Sequence, residues 1–155
     1  MPKIKIMFVR KATMEDLPQL SVLFDLYRQF YHKTSDIDAA KVFLRERITK
    51  KDSEILVVEE NEEITGFTQL YPLFSSTRMK RYWLLNDLFV DEKQRGKGFS
   101  KALLEGAKDI CKKTLACGIL LETSKDNIIG NQLYPSAGFE IYDEVNFYEW
   151  TNTEV

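Results

Sequence analysis

The stretch LFVDEKQRGKGFSKALL, residues 88–104, decides how the rest of the chain is read. Leu88, Phe89 and Val90 close a run of strand formers. Residues 91–94 are charged or turn-forming. Gly96 and Gly98 flank Lys97, and from Phe99 onward apolar residues recur at helical spacing: Phe99, Leu103, Ala107, Ile110 and Cys111. A strand, a glycine loop and a helix therefore follow one another. Glycines allow the backbone to approach a ligand closely, and the first turn of a helix has unpaired N–H groups. These donors, with the positive end of the helix dipole, form an anion site. Arg95 and Lys97 add full charges. The loop reads as a cradle for a phosphate or pyrophosphate, although a glycine pair standing alone can be no more than a turn.

The common nucleotide motifs do not fit. There is no GxxxxGK[ST], and no third glycine with a ribose-binding acid downstream, so neither a P-loop nor a dinucleotide fold is indicated. The length of 155 residues suits one domain, 1–155, with one sizeable core. With 22 Lys plus Arg against 24 Asp plus Glu, bulk charge gives no basis for nucleic-acid binding. The single histidine and two cysteines, Cys111 and Cys117, give no zinc pattern and no disulfide framework, so no metal is expected. No apolar run is long enough to span a bilayer, and the expectation is a cytoplasmic protein without membrane partners.

Residues 3–10 (KIKIMFVR) read as a first strand. Thr13 offers an N-cap with Asp16 three residues on, and Leu17, Leu20, Phe24, Tyr27 and Tyr31 make one face of a helix. A second helix spans 36–50. Strands follow at 54–60, 64–74 and 81–90, the first two joined by a turn at Asn61-Glu62. After the helix that begins at Phe99, residues 118–123 (GILLET) read as a short strand buried on both faces. A helix over 127–137 is capped by Asn127 and ended by Gly138, with Pro135 expected to distort its last turn. Residues 139–142 and 145–150 read as a closing pair of strands.

These features resemble the GNAT acetyltransferases. The family's signature is Arg or Gln, two residues, Gly, one residue, then Gly or Ala. Here Arg95, Gly98 and Ser100 stand in those places, with a small serine at the last. Leu88-x-Val90 before it, Asn127, and Leu133-Tyr134 followed by Gly138-Phe139 match further family marks. The resemblance implies an α/β fold with a mixed central sheet flanked by helices. Its fourth and fifth strands splay apart to admit the pantetheine arm of acetyl-CoA, the co-substrate. It implies that Leu88, Phe89 and Val90 pair with that arm, that residues 95–100 (Arg95, Gly96, Lys97, Gly98, Phe99, Ser100) hold the pyrophosphate, and that Asn127 and Tyr134 also contact CoA.

Amide formation from a thioester requires a neutral amine, a stabilised carbonyl oxygen and a protonated leaving sulfur. The resemblance assigns the last role to Tyr134. A backbone N–H near Phe89 or Val90 suits the second. For the first, an alkyl ammonium with a pKa near ~10.4 must lose a proton. Asp87 and Glu122, on the fourth and fifth strands, are the candidate acids. Asn86 and Asp87 are consecutive, so only one faces the acceptor unless a bulge intervenes. Tyr27, Arg28, Tyr31 and His32 lie where the family places acceptor-binding residues; Tyr27 and Tyr31 serve the core equally well, and His32 reads as a solvated helix end. Tyr71, Phe74 and Trp83 are either aromatic walls for a cation or core.

Residues 85–90 resemble the small histone/polyamine-type and diamine acetyltransferases, which implies a polyamine, an amino-acid-like amine or a lysine as acceptor. The alternative is a CoA-binding regulatory module without catalysis. The family commonly dimerises, and Phe147, Tyr148 and Trp150 suit such an interface, so a homodimer is expected.

Overall fold

The structure, a computed structural model, describes residues 6–155. They form two compact units, the chain dividing between Glu122 and Thr123. The expected first strand begins outside the described residues; its described part is β1, Met7–Lys11.

The larger unit is a five-stranded mixed sheet in the order β1-β2-β3-β4-β5. β2 (Glu54–Glu60), β3 (Glu63–Ser75) and β4 (Lys80–Val90) extend β1 in antiparallel pairings. The β2–β3 turn at Asn61 and Glu62 has φ of 54° and 66°, the left-handed geometry that two-residue hairpin turns require. β5 (Ile119–Leu120) joins parallel to β4, pairing only with Trp83 and Leu84. The expected strand over 118–123 is thus cut to two residues, both half-buried rather than buried. β5 pairs with β4 through only those two positions, too few to extend a ladder.

α1 (Leu17–Phe30) and α2 (Ile37–Lys50) cover one face. Leu17, Leu20, Leu23, Phe24, Ala40 and Leu44 pack there with Ile55, Val57, Phe67 and Phe89 of the sheet. α3 (Phe99–Lys113) covers the other face so closely that a Cβ at Gly106 would lie 2.9 Å from Leu56 Cδ1.

The expected cap at Thr13 opens a single 3-10 turn, Met14–Asp16, that leads into α1. The Asp16 carboxylate accepts the Thr13 N–H at 2.7 Å and both terminal nitrogens of Arg10 at 2.7 Å. Arg10 also donates to Glu59 at 2.9 Å, so β1, the turn and β2 share one ion cluster. Asp36 caps α2 by accepting the Ala39 N–H at 3.0 Å. Between the two helices, the buried Asp25 carboxylate accepts the Ser35 hydroxyl and the Asp36 N–H at 2.7 Å each, and the Gln29 amide at 2.9 Å. Burial raises its pKa, but these donors outweigh burial and hold it below the usual carboxylate value.

The smaller unit, residues 123–155, contains α4 (Ile128–Ser136). Asn127 caps α4 by accepting the Gly130 N–H at 3.0 Å. Around Pro135 the last turn tightens: the Ala137 N–H is shared between the carbonyls of Leu133 and Tyr134, at 3.1 Å each. Gly138, with φ of 87°, ends the helix, and the Phe139 N–H closes back on the Tyr134 carbonyl at 3.0 Å. The expected closing strands over 139–142 and 145–150 are not formed among the described residues. Two short strands make a marginal ladder alone, and in this unit Phe147, Tyr148 and Trp150 stay exposed.

Candidate functional site

β4 carries one residue more than β3 opposite it. Leu85 pairs with Leu70 and Asp87 with Gln69, so Asn86 is a bulge. In a regular strand Trp83, Leu85, Asp87 and Phe89 would share a face. The bulge breaks that alternation. The Trp83 indole donates to Thr114 just past the end of α3, at 2.9 Å, whereas Phe89 meets the Tyr27 ring of α1 at 6.1 Å. Asp87 is turned with Phe89 toward α1.

Asp87 is 4% exposed. Its Oδ2 accepts the Gln69 amide at 2.7 Å and its Oδ1 the Asn86 amide at 2.9 Å. The Tyr27 hydroxyl lies between this carboxylate and the Asn86 carbonyl, 3.2 Å away. No cation pairs with Asp87 among the described residues. Burial pushes its pKa up, against donation from Gln69, Tyr27 and Asn86. A raised carboxylate pKa is what a proton acceptor for an amine requires.

Tyrosines gather on this face. The Tyr27 ring packs against Phe24, Phe67 and Phe89, and its hydroxyl reaches the Asp87 group. Tyr31 stacks edge-on to Tyr27 at 5.1 Å and is 46% exposed. Its pKa is raised by burial, then by Asp87 and Glu122, which brings both candidate acids within electrostatic reach of one phenol. Glu122 is exposed and follows β5 rather than lying in it. Tyr71 is pushed up to about 12 by burial first and then by Asp87.

The remaining candidates stand elsewhere. Arg28 turns to the Thr34 carbonyl and toward Asp25. His32 is exposed, with φ of 62°. Trp83 is on the opposite face, and Phe74 is 73% exposed beneath Arg81. Of the three candidate aromatic walls only Tyr71 stands with Asp87.

Beyond Leu84, residues 85–90 of β4 pair with β3 on one side and have no β5 partner. At the end of this open edge, Arg95 Nε donates to the Val90 carbonyl at 3.3 Å, and its guanidinium lies over the Phe89 ring. Gly96 and Gly98 have φ of 80° and 85°, and a Cβ added to either would meet nothing within 4 Å. Positive φ, with open space beside it, explains both glycines. Gly98 is the N-cap of α3 and has no side chain to satisfy the first-turn N–H groups of Phe99, Ser100 and Lys101. The Phe99 side chain is core, 2% exposed, so only its backbone faces the loop. Lys97 is held by Gln94 at 2.6 Å and Glu60 at 3.8 Å, which offsets part of the charge expected of it. An open strand edge, an uncapped helix start and room beside two glycines fit an extended chain ending in a pyrophosphate.

In the smaller unit, Asn127 and Tyr134 lie at the two ends of α4, and Tyr134 packs edge-on to Phe139 at 6.0 Å. Sequence reasoning missed Gln69 and Ser53. Gln69 is fully buried, and the Ser53 hydroxyl donates to its Oε1 at 2.9 Å. The available signal was a polar pair, Thr68-Gln69, inside an otherwise apolar strand.

The family model of the acetyltransferase (GNAT) family matches residues 20–139. An uncharacterized N-acetyltransferase of Bacillus subtilis (strain 168), YhfO, is 43% identical over 134 residues, 86% of this chain and 90% of that protein. A probable acetyltransferase of Haemophilus influenzae is 30% identical over 140 residues, 90% of this chain and 94% of its own. A solved structure described as a probable acetyltransferase superposes with a TM-score of 0.89 at 37% identity, over 94% of this chain and 97% of the other.

Proposed function

Because the chain belongs to the GNAT acetyltransferase family, we propose that it transfers the acetyl group of acetyl-CoA to a primary amine by direct attack, with Asp87 as the proton acceptor. The observation that carries this reading is a single buried carboxylate without a cationic partner, turned by a bulge toward three tyrosines. A protonated amine approaching it brings the missing positive charge. Tyr27, Tyr31 and Tyr71 offer ring faces to that cation. Asp87, ionised, then accepts the proton that the amine must lose before it can attack. Glu122, exposed and near Tyr31, suits the role of attracting the amine from solvent.

Acetyl-CoA supplies the activated acyl group. The unpaired edge of Leu88, Phe89 and Val90 would hold its extended arm, and a backbone N–H of Phe89 or Val90 would donate to the acyl oxygen. Arg95, the Gly96–Lys97–Gly98 turn and the N–H groups of Phe99 and Ser100 would hold the pyrophosphate. Family pattern assigns cofactor contact to Asn127 and protonation of the leaving sulfur to Tyr134, with residues 1–155 acting as one domain. The acceptor class is a polyamine, an amino-acid-like amine or a lysine side chain. The exposed Phe147, Tyr148 and Trp150 favour a homodimer; a monomeric mass in sedimentation at micromolar concentration would count against it.

The test is release of free CoA thiol from acetyl-CoA across a panel of polyamines, amino acids, aminoglycosides and lysine peptides. Turnover with one class, lost in Asp87→Asn, supports the proposal. Tight acetyl-CoA binding without turnover on any amine would favour a regulatory CoA-binding module.

A further inference from the structure

We propose that Ser53 and Gln69 form a one-way hydrogen-bond relay that holds Asp87 in its ionised, proton-accepting form. Both are positioning residues for the chemistry assigned above, and the inference rests on that reading only for its consequence in catalysis. The chain of contacts runs from the residue before β2, through β3, to β4. Ser53, just before β2, donates to Gln69 Oε1 at 2.9 Å, and Gln69 Nε2 donates to Asp87 Oδ2 at 2.7 Å.

The direction of the relay follows from donor and acceptor counting. An ionised carboxylate only accepts, so the Gln69 amide must turn its nitrogen toward Asp87. Its oxygen then faces Ser53, whose hydroxyl must donate. As arranged, both Asp87 oxygens accept, Oδ2 from Gln69 and Oδ1 from Asn86, which is the pattern of the ionised acid; a proton on Oδ2 would displace the Gln69 N–H and require that amide to turn. That turn would set the Gln69 NH₂ against Ser53 Oγ, which would have to accept it and give up its present donation, so the observed direction of both bonds matches the ionised acid. Gln69 is fully buried and Asp87 is 4% exposed, so water cannot readily replace either partner. Ser53 is half-buried and borders a cleft lined also by Lys51, Asp52 and Arg81, so the relay runs from the surface to the buried acid.

Other groups around Asp87 do not substitute for the relay. Tyr27 of α1, Tyr31 at its C-cap and Tyr71 of β3 lie around it. Asn86 donates from β4 itself. Glu122, which acts on Tyr31, and Asp52, which acts on Tyr71, are negative. Arg47 of α2 reaches Tyr71 but forms its ion pairs with Glu46 and Asp52. Among these neighbours Tyr27 also donates to the carboxylate, and Gln69, at 2.7 Å, is the donor on Oδ2 that connects it to Ser53.

The decisive experiment follows the Asp87 carboxyl carbon by NMR during a pH titration, in the wild type, Gln69→Leu, Ser53→Ala and Ser53→Thr. The expected result is an Asp87 pKa raised by roughly one unit in Gln69→Leu and by a smaller amount in Ser53→Ala, returning toward the wild-type value in Ser53→Thr. The acid break in the pH profile of kcat should move the same way, with KM for acetyl-CoA unchanged. If Gln69→Leu does not fold, the Ser53 pair decides. An Asp87 carboxyl that titrates unchanged in Ser53→Ala overturns the relay. Undiminished turnover in Asp87→Asn would instead overturn the catalytic reading, and the carboxyl titration is independent of it.

Discussion

The side-chain amide of Asn86 lies 2.9 Å from the carboxylate of Asp87, although the two are consecutive residues of one strand. Regular pleating would send them to opposite faces. The bulge at Asn86 allows the contact, and it also separates Asp87 from Trp83 and brings it to Tyr27.

Replacing the buried acid tests the site directly. Asp87→Asn should lower kcat by about 10²-fold or more, the ordinary scale of a lost general base. The new amide oxygen can accept from Gln69, but its NH₂ then meets the Asn86 amide, which must turn; that loss is offset by removal of a buried charge, so the melting temperature should change little. Steady-state kinetics and a thermal melt on the same preparation check both parts.

The glycine loop is tested through its backbone. At Gly98 φ is 85°, and a side chain there costs about 1–2 kcal/mol. Gly98→Ala should therefore weaken acetyl-CoA binding severalfold in calorimetry while leaving the amine KM nearly unchanged. Equal acetyl-CoA affinity in the variant would detach the loop from the cofactor.

On the proposed mechanism Tyr134→Phe removes only the proton for the leaving sulfur, so it should lower turnover with little change in acetyl-CoA affinity. Turnover equal to wild type would remove Tyr134 from the mechanism.

The Arg10 cluster yields a prediction about acid stability. Hydrogen bonding to Arg10, above all, holds the Asp16 pKa below its usual value. Such a group stabilises the fold above its unfolded pKa, and that stability is lost as pH falls through the lower, folded pKa. Asp16→Asn should cost about 1–2 kcal/mol at pH 7 in urea denaturation. The gap to wild type should narrow below pH ~4. A constant gap down to pH 3 would show that the ion cluster is not its source.

Much of the architecture was written locally. Glu54–Glu60 forms as its apolar run reads, Asp36 caps its helix, and Gly96 and Gly98 take up left-handed turns beside an uncapped helix start. Each depends on residues close in sequence. What could not be read depends on partners far along the chain. The bulge at Asn86 exists only relative to the register of β3, so the faces of Trp83 and Asp87 were beyond the sequence pattern. Ser53 and Gln69 are 16 residues apart and meet because β2 and β3 pair. The closing strands were read from composition, but a strand exists only where a neighbour accepts its hydrogen bonds.

The Asp25 knot has a consequence for the thermodynamics of acceptor binding. Tyr27 lies in the last turns of α1 and Tyr31 is its C-cap, and the connection that follows is tied back to Asp25 of that helix by Ser35 and Asp36. The aromatic wall proposed for the acceptor is therefore tethered before any amine arrives. A loop ordered by its ligand loses conformational entropy on binding, whereas a wall anchored in advance loses little. Loosening the tether with Ser35→Ala would transfer that ordering to the binding step, where it would appear in calorimetry as a more unfavourable entropy.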